Sequence, residues 1–85
     1  VYAVRCTVDG TDYDGVCNVG TRPTFGGGPE IIEVHLLDAD IELYGRTMRV
    51  AFIDRIRSEQ RFDSVDSLIA QIENDIDHAR VILAP

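Results

Sequence analysis

Val1-Tyr2-Ala3-Val4-Arg5-Cys6-Thr7-Val8-Asp9-Gly10 is the stretch whose reading decides the fold. Tyr2, Val4, Cys6 and Val8 recur at every second position, the period of a strand with one buried face. Asp-Gly is the dipeptide preferred in two-residue hairpin turns, where both central residues need positive φ. The chain therefore turns at Asp9-Gly10 and returns antiparallel over Tyr13–Val19, with Val8 opposite Thr11 and Cys6 opposite Tyr13. In that register the sulfurs of Cys6 and Cys17 do not face each other, so both read as small buried hydrophobes and not as a disulfide. The pair suits a reducing cytoplasm, and two Cys with two scattered His make no metal-ligand set.

Outward from the hairpin, Gly20–Pro29 holds four of the seven Gly and two of the three Pro, and reads as an irregular loop. Ile31–Leu37 is the third strand, and Asp38–Gly45 is a second loop carrying Asp38, Asp40 and Glu42. Arg46–Ile56 alternates again, with Met48, Val50, Phe52 and Ile56 on one face and Arg49, Ala51, Ile53 and Arg55 on the other. Arg46, Arg49 and Arg55 read as surface charges. A polar connector, Arg57–Asp63, leads to Ser64, a good N-cap, and Asp66 sits in the first turn, where the helix dipole favours negative charge. Val65, Leu68, Ile69, Ile72, Ile76, Ala79 and Leu83 keep helical spacing to the end of one amphipathic helix. Its other face, Gln71, Glu73, Asn74, Asp75, Asp77 and His78, reads as solvated. Four strands and one C-terminal helix make a small antiparallel sheet or barrel with a helix packed on it. This strand count leaves an edge open unless a further strand is supplied, most naturally from upstream of Val1.

Eighty-five residues with 45% hydrophobic side chains make one small domain, and no apolar run approaches the roughly 20 residues needed to span a bilayer. No secretory signal pattern is present, and a start at Val1 without Met reads as a piece of something longer. The net charge of −7, from 15 acidic and 8 basic residues, argues against nucleic acid or an anionic membrane as the main partner. All eight basic residues are Arg, and the absence of Lys excludes a Walker-type phosphate loop. A phosphate site built here must use Arg, backbone N–H groups or a metal.

Glu33 interrupts an otherwise apolar strand, where an ionised carboxylate is out of place on propensity and burial. Either it lies on the solvent face, alternating with inward Ile32, Val34 and Leu36, or it works. His35 would share its face, more as a hydrogen-bonded wall residue than as a ligand.

Five blocks occur in order along the chain: Val1-Tyr2-Ala3-Val4; Gly15-Val16 with Asn18-Val19-Gly20-Thr21-Arg22-Pro23-Thr24-Phe25; Glu33-Val34-His35-Leu36-Leu37; Leu43-Tyr44-Gly45; and Arg57-Ser58-Glu59 with Phe62-Asp63-Ser64. Together they closely resemble the riboflavin kinase domain, which in bacteria usually forms the C-terminal half of a bifunctional riboflavin kinase/FAD synthetase. The resemblance implies a mainly β fold with one C-terminal helix, a Greek-key antiparallel β-barrel of the riboflavin kinase type. It implies transfer of the ATP γ-phosphoryl group to the ribityl 5′-hydroxyl of riboflavin, giving FMN in the cytoplasm. By the same resemblance Glu33 is the catalytic carboxylate that orients and deprotonates the hydroxyl, and Arg57, Gln60 and Phe62 belong to the flavin-binding loop. Leu36, Asp38 and Tyr44 match nucleotide contacts, as do Gly20 and Thr21. Without the family, Phe62 reads as a hydrophobic staple packing on Leu68 before the Ser64 cap, and Gly20, Thr21 and Arg22 as a turn stiffened by Pro23.

The family's Gly-Arg-x-x-Gly-Phe-Pro-Thr-Ala-Asn segment, whose Thr and Asn bind the Mg²⁺ of MgATP, would lie upstream of Val1, as would any FMN adenylyltransferase domain. On that expectation residues 1–85 are an N-terminally truncated riboflavin kinase domain, lacking the N-terminal strand segment. The competing readings are a non-catalytic fragment or flavin-binding module without the MgATP site, and an unrelated small β-barrel interaction domain.

Overall fold

β1 (Tyr2–Val8) and β2 (Thr11–Thr21) form the hairpin in the register read from the sequence, with Val8 opposite Thr11 and Cys6 opposite Tyr13. Asp9 and Gly10 have φ of 51° and 79°, the double positive φ of a two-residue turn whose twist matches the strands. The computed structural model describes residues 1–21 and 30–85; Arg22, Pro23, Thr24 and Phe25, and with them most of the Gly20–Pro29 loop, lie outside the described residues. Gly20 and Thr21 belong to β2 and not to that loop.

β3 (Glu30–Leu36) pairs antiparallel with β2, and β4 (Met48–Arg55) with the other edge of β1, giving the order β3-β2-β1-β4. The expected barrel is not formed. β3 and β4 are the two edges, no ladder joins them among the described residues, and the sheet stays open. Read from β4, the order is 4-1-2-3, that of a four-strand Greek key left unclosed.

The two faces of the sheet carry separate cores. Val4, Cys6 and Cys17 are buried on one face with Met48, Val50, Val34 and Leu36 packed around them. Both cysteines are free, and burial pushes both thiols above the ordinary range. On the other face Ala3 and Leu37 pack against Ala79 and Leu83 of α1 (Val65–Leu83). Ile56 joins this second core, away from Met48 and Val50, which corrects the face assigned to it from alternation. The reason is a bulge: Val4 pairs with Phe52 and Ala3 with Asp54, so Ile53 is an extra residue that inverts the alternation beyond it.

Ser64 caps α1 as expected, its Oγ accepting the Ser67 N–H at 3.1 Å. The helix docks on β1 and β2 through its C-terminal half alone. Leu68 and Ile72 on the N-terminal half remain 39% and 43% exposed. Among the described residues no helix is long and apolar enough to cross a membrane.

Candidate functional site

Because α1 leans on the sheet only at its C-terminal end, a groove of about 610 Å³ opens between its N-terminal half, the connector 56–64 and the β2–β3 strands. That volume lies within the range of small-molecule sites. Each wall has a distinct chemistry. The strand wall carries the polar groups, among Val16 and Val34: Asn18 and Glu33 are opposite one another in the β2–β3 register, and Val16 faces His35 two pairs along. The pleat explains the arrangement, since Val34 and Leu36 turn into the Val4–Cys6–Cys17 core and send Glu33 and His35 to the helix side. The alternation read from the sequence holds for Val34 and Leu36 but not for Ile32, which is 60% exposed, and Glu33 and His35, themselves exposed, line the groove on the opposite face. The helix wall is apolar, formed by Leu68, Ile72 and Ile76. The connector contributes Arg57, Glu59, Gln60 and Phe62. Phe62 and Leu68, the pair of the staple reading, both line this groove.

The connector is anchored at its start. The Ile56 N–H donates to the Val1 carbonyl at 2.8 Å, continuing the β1–β4 ladder past the end of β4. The Arg57 side chain then turns onto the helix. Its Nε donates to Asp75 Oδ1 at 2.9 Å and its Nη2 to Oδ2 at 2.8 Å, a bidentate pair, while the guanidinium carbon lies 5.8 Å from the Phe62 ring centroid. Gln71 Nε2 adds a third donor to Asp75 at 3.0 Å. Burial alone would raise the Asp75 pKa; the hydrogen bonds from Arg57 and Gln71 and the Arg57 charge outweigh it and hold the carboxyl below the usual range.

The helical pattern puts Asp75 on the solvated face, and the structure corrects this: it is 4% exposed, and both its carboxylate oxygens accept hydrogen bonds. The signal was present, since Asp75 falls three residues after Ile72 and four before Ala79, on the buried stripe. Arg57 was its available partner. Asn18, Leu68 and Ile72 are among the other groove residues that no sequence argument assigned to a site.

The groove thus gathers Glu33, Arg57, Gln60 and Phe62 from a strand and a connector. It does not gather the positions matched to nucleotide contacts. Leu36 packs on the opposite face of the sheet. Asp38, at φ 54°, receives both terminal nitrogens of Arg80, at 2.6 and 3.0 Å, and this pairing lowers its pKa. Tyr44 is 93% exposed. Gly20 sits against the Glu59 carboxylate near the end of β2, next to Thr21. No cluster of three or more His, Cys, Asp or Glu side chains among the described residues is placed to hold a metal ion.

A model of the riboflavin kinase (flavokinase) family matches residues 1–83. The chain belongs to the riboflavin kinase family. It is 44% identical over 86 residues to a bifunctional riboflavin kinase/FMN adenylyltransferase of Pseudomonas fluorescens, covering 100% of this chain and 28% of that protein. It is 54% identical over 76 residues to the protein of the same name from Escherichia coli K12, covering 88% and 24%. Among solved structures it resembles a chain described as a macrolide-efflux protein from Streptococcus pneumoniae, with a TM-score of 0.83 and 35% identity over 93% of this chain and 26% of that one. The chain spans about a quarter of the length of the bifunctional riboflavin kinase relatives it matches.

Proposed function

We propose that the protein containing this chain transfers the γ-phosphoryl group of ATP to the ribityl 5′-hydroxyl of riboflavin, and that the groove holds the flavin. The observation that carries the reading is the convergence of Glu33, Arg57, Gln60 and Phe62 on one recess, with an apolar helix wall facing a strand wall that carries Asn18, Glu33 and His35. A flat heteroaromatic ring suits Phe62, Leu68 and Ile72, with Arg57 and Gln60 as donors to ring heteroatoms. A polyol chain suits the strand wall of Asn18, Glu33 and His35. The riboflavin kinase named in each bacterial relative supports the same substrate class.

In the reaction the ribityl oxygen bonds to the γ-phosphorus as the bond to the β,γ-bridging oxygen breaks, and ADP leaves with that electron pair. Such transfers ask little covalent chemistry of a protein, so the task is to hold the alcohol in line and accommodate charge. Glu33, fixed on a paired strand, orients the hydroxyl and accepts its proton late, because an alcohol is a weak acid. Mg²⁺ enters with ATP as part of the substrate, and no step is assigned to the described residues through it. Leu36, Asp38, Tyr44, Gly20 and Thr21 stand as nucleotide-side residues of this reading, outside the flavin groove. Residues 1–85 belong to one riboflavin kinase domain, in a cytoplasmic parent whose adenylyltransferase domain converts FMN to FAD.

The test is FMN formation from riboflavin and MgATP by the full-length parent and by the 85-residue chain. The parent is expected to make FMN. The 85-residue chain, with its flavin groove but no metal-ligand cluster among the described residues, is expected to quench riboflavin fluorescence without making FMN. A parent that makes no FMN and binds no riboflavin overturns the reading.

A further inference from the structure

Two of the three guanidinium nitrogens of Arg57 are committed to Asp75, and the third, Nη1, donates to the Ser58 carbonyl at 3.0 Å. An arginine carries about 2 kcal/mol of side-chain rotamer entropy, which a ligand must normally overcome to use it. Here the ordering is already done. Asp75 is nearly inaccessible, and Gln71 steadies its Oδ1 from the next turn of the helix. The net stability gained from such a pair is small, because desolvation offsets attraction, so fixing the guanidinium plane is its larger consequence.

We propose that Asp75 is a positioning residue for the flavin subsite: it holds the Arg57 guanidinium beside Phe62 with the remaining Nη hydrogens free to meet the ring heteroatoms of the ligand. The inference rests on the flavin-groove reading above, and it assigns to α1 a part in substrate recognition through a residue that contacts no substrate. Preorganisation of this kind acts on affinity by removing the ordering cost at binding. It therefore separates from phosphoryl transfer itself, which lies at Glu33 on the facing wall.

The experiment uses the full-length parent with Asp75→Asn, Arg57→Ala and the double variant, reading KM for riboflavin, KM for ATP, kcat and riboflavin affinity by fluorescence quenching. Asp75→Asn keeps the side-chain shape but turns one acceptor into a donor facing Arg57. It is expected to raise the riboflavin KM by about 10-fold, with the ATP KM within about twofold of wild type. On the Arg57→Ala background the same change is expected to add less than about twofold, because its effect passes through Arg57. A riboflavin KM unchanged in Asp75→Asn, or a full independent effect in the double variant, overturns the proposal. Should Asp75→Asn not fold, Gln71→Ala removes a single hydrogen bond and is expected to raise the riboflavin KM by about 2- to 3-fold; no change there also overturns it. Riboflavin affinity that falls as described in a parent that forms no FMN sinks the kinase reading and leaves this one standing. A parent that binds no riboflavin ends both.

Discussion

Protonating Asp75 would leave the Arg57 guanidinium, one-fifth exposed, against a neutral carboxyl. The folded-state pKa of Asp75 is depressed below the unfolded value of about 3.9. A depressed carboxylate contributes stability that is complete above the unfolded pKa and is lost as pH falls through the folded one. Denaturant midpoints measured from pH 7 down to pH 2 should therefore fall below about pH 4, and fall less steeply in Asp75→Asn. Asp38, held low by Arg80, titrates in the same window in both proteins and cancels from the comparison. At neutral pH, Asp75→Ala should cost roughly 2–4 kcal/mol, since it strands a largely buried guanidinium. At this scale the sequence was half legible. The face of Glu33 followed from alternation with Val34 and Leu36, both local facts. The burial of Asp75 did not, because a carboxylate on a helix stripe looks solvated until its partner, eighteen residues away, is placed beside it.

Among the elements, those governed by local chemistry were readable and those set by long-range pairing were not. Asp9-Gly10 fixed the hairpin register through its positive φ values, and Ser64 fixed the start of α1 through its cap. The bulge at Ile53 had no signal, because a register slip belongs to the pairing of β4 with β1. That slip sends Ile56 into the core under α1, directly before Arg57 enters the groove. The exposed N-terminal half of α1 was likewise hidden, since periodicity marks an apolar stripe without saying what covers it. Ile72 is 43% exposed and lines the groove, so Ile72→Ser should lower stability by less than about 1 kcal/mol. The same change should weaken riboflavin binding by roughly 3- to 10-fold, read by fluorescence titration. A large loss of stability with unchanged binding would instead make this half of α1 a structural strut.

For the whole molecule, the expectation of a closed barrel failed because four strands in this order end in two edges, whatever their individual propensities. The expectation of family held over residues 1–83, because ordered motif blocks survive independently of closure. The open sheet and a helix docked through its C-terminal half together make the groove, so the fold bears on function chiefly by keeping the Glu33 wall facing the Leu68–Ile72 wall. The central claim is that Glu33 holds the hydroxyl to be phosphorylated. The most direct measurement is single-turnover FMN formation by the full-length parent carrying Glu33→Gln, with riboflavin affinity titrated in parallel. A fall in rate of about 100-fold or more, with affinity within about twofold of wild type, is predicted. Near-normal turnover at unchanged affinity would contradict the assignment.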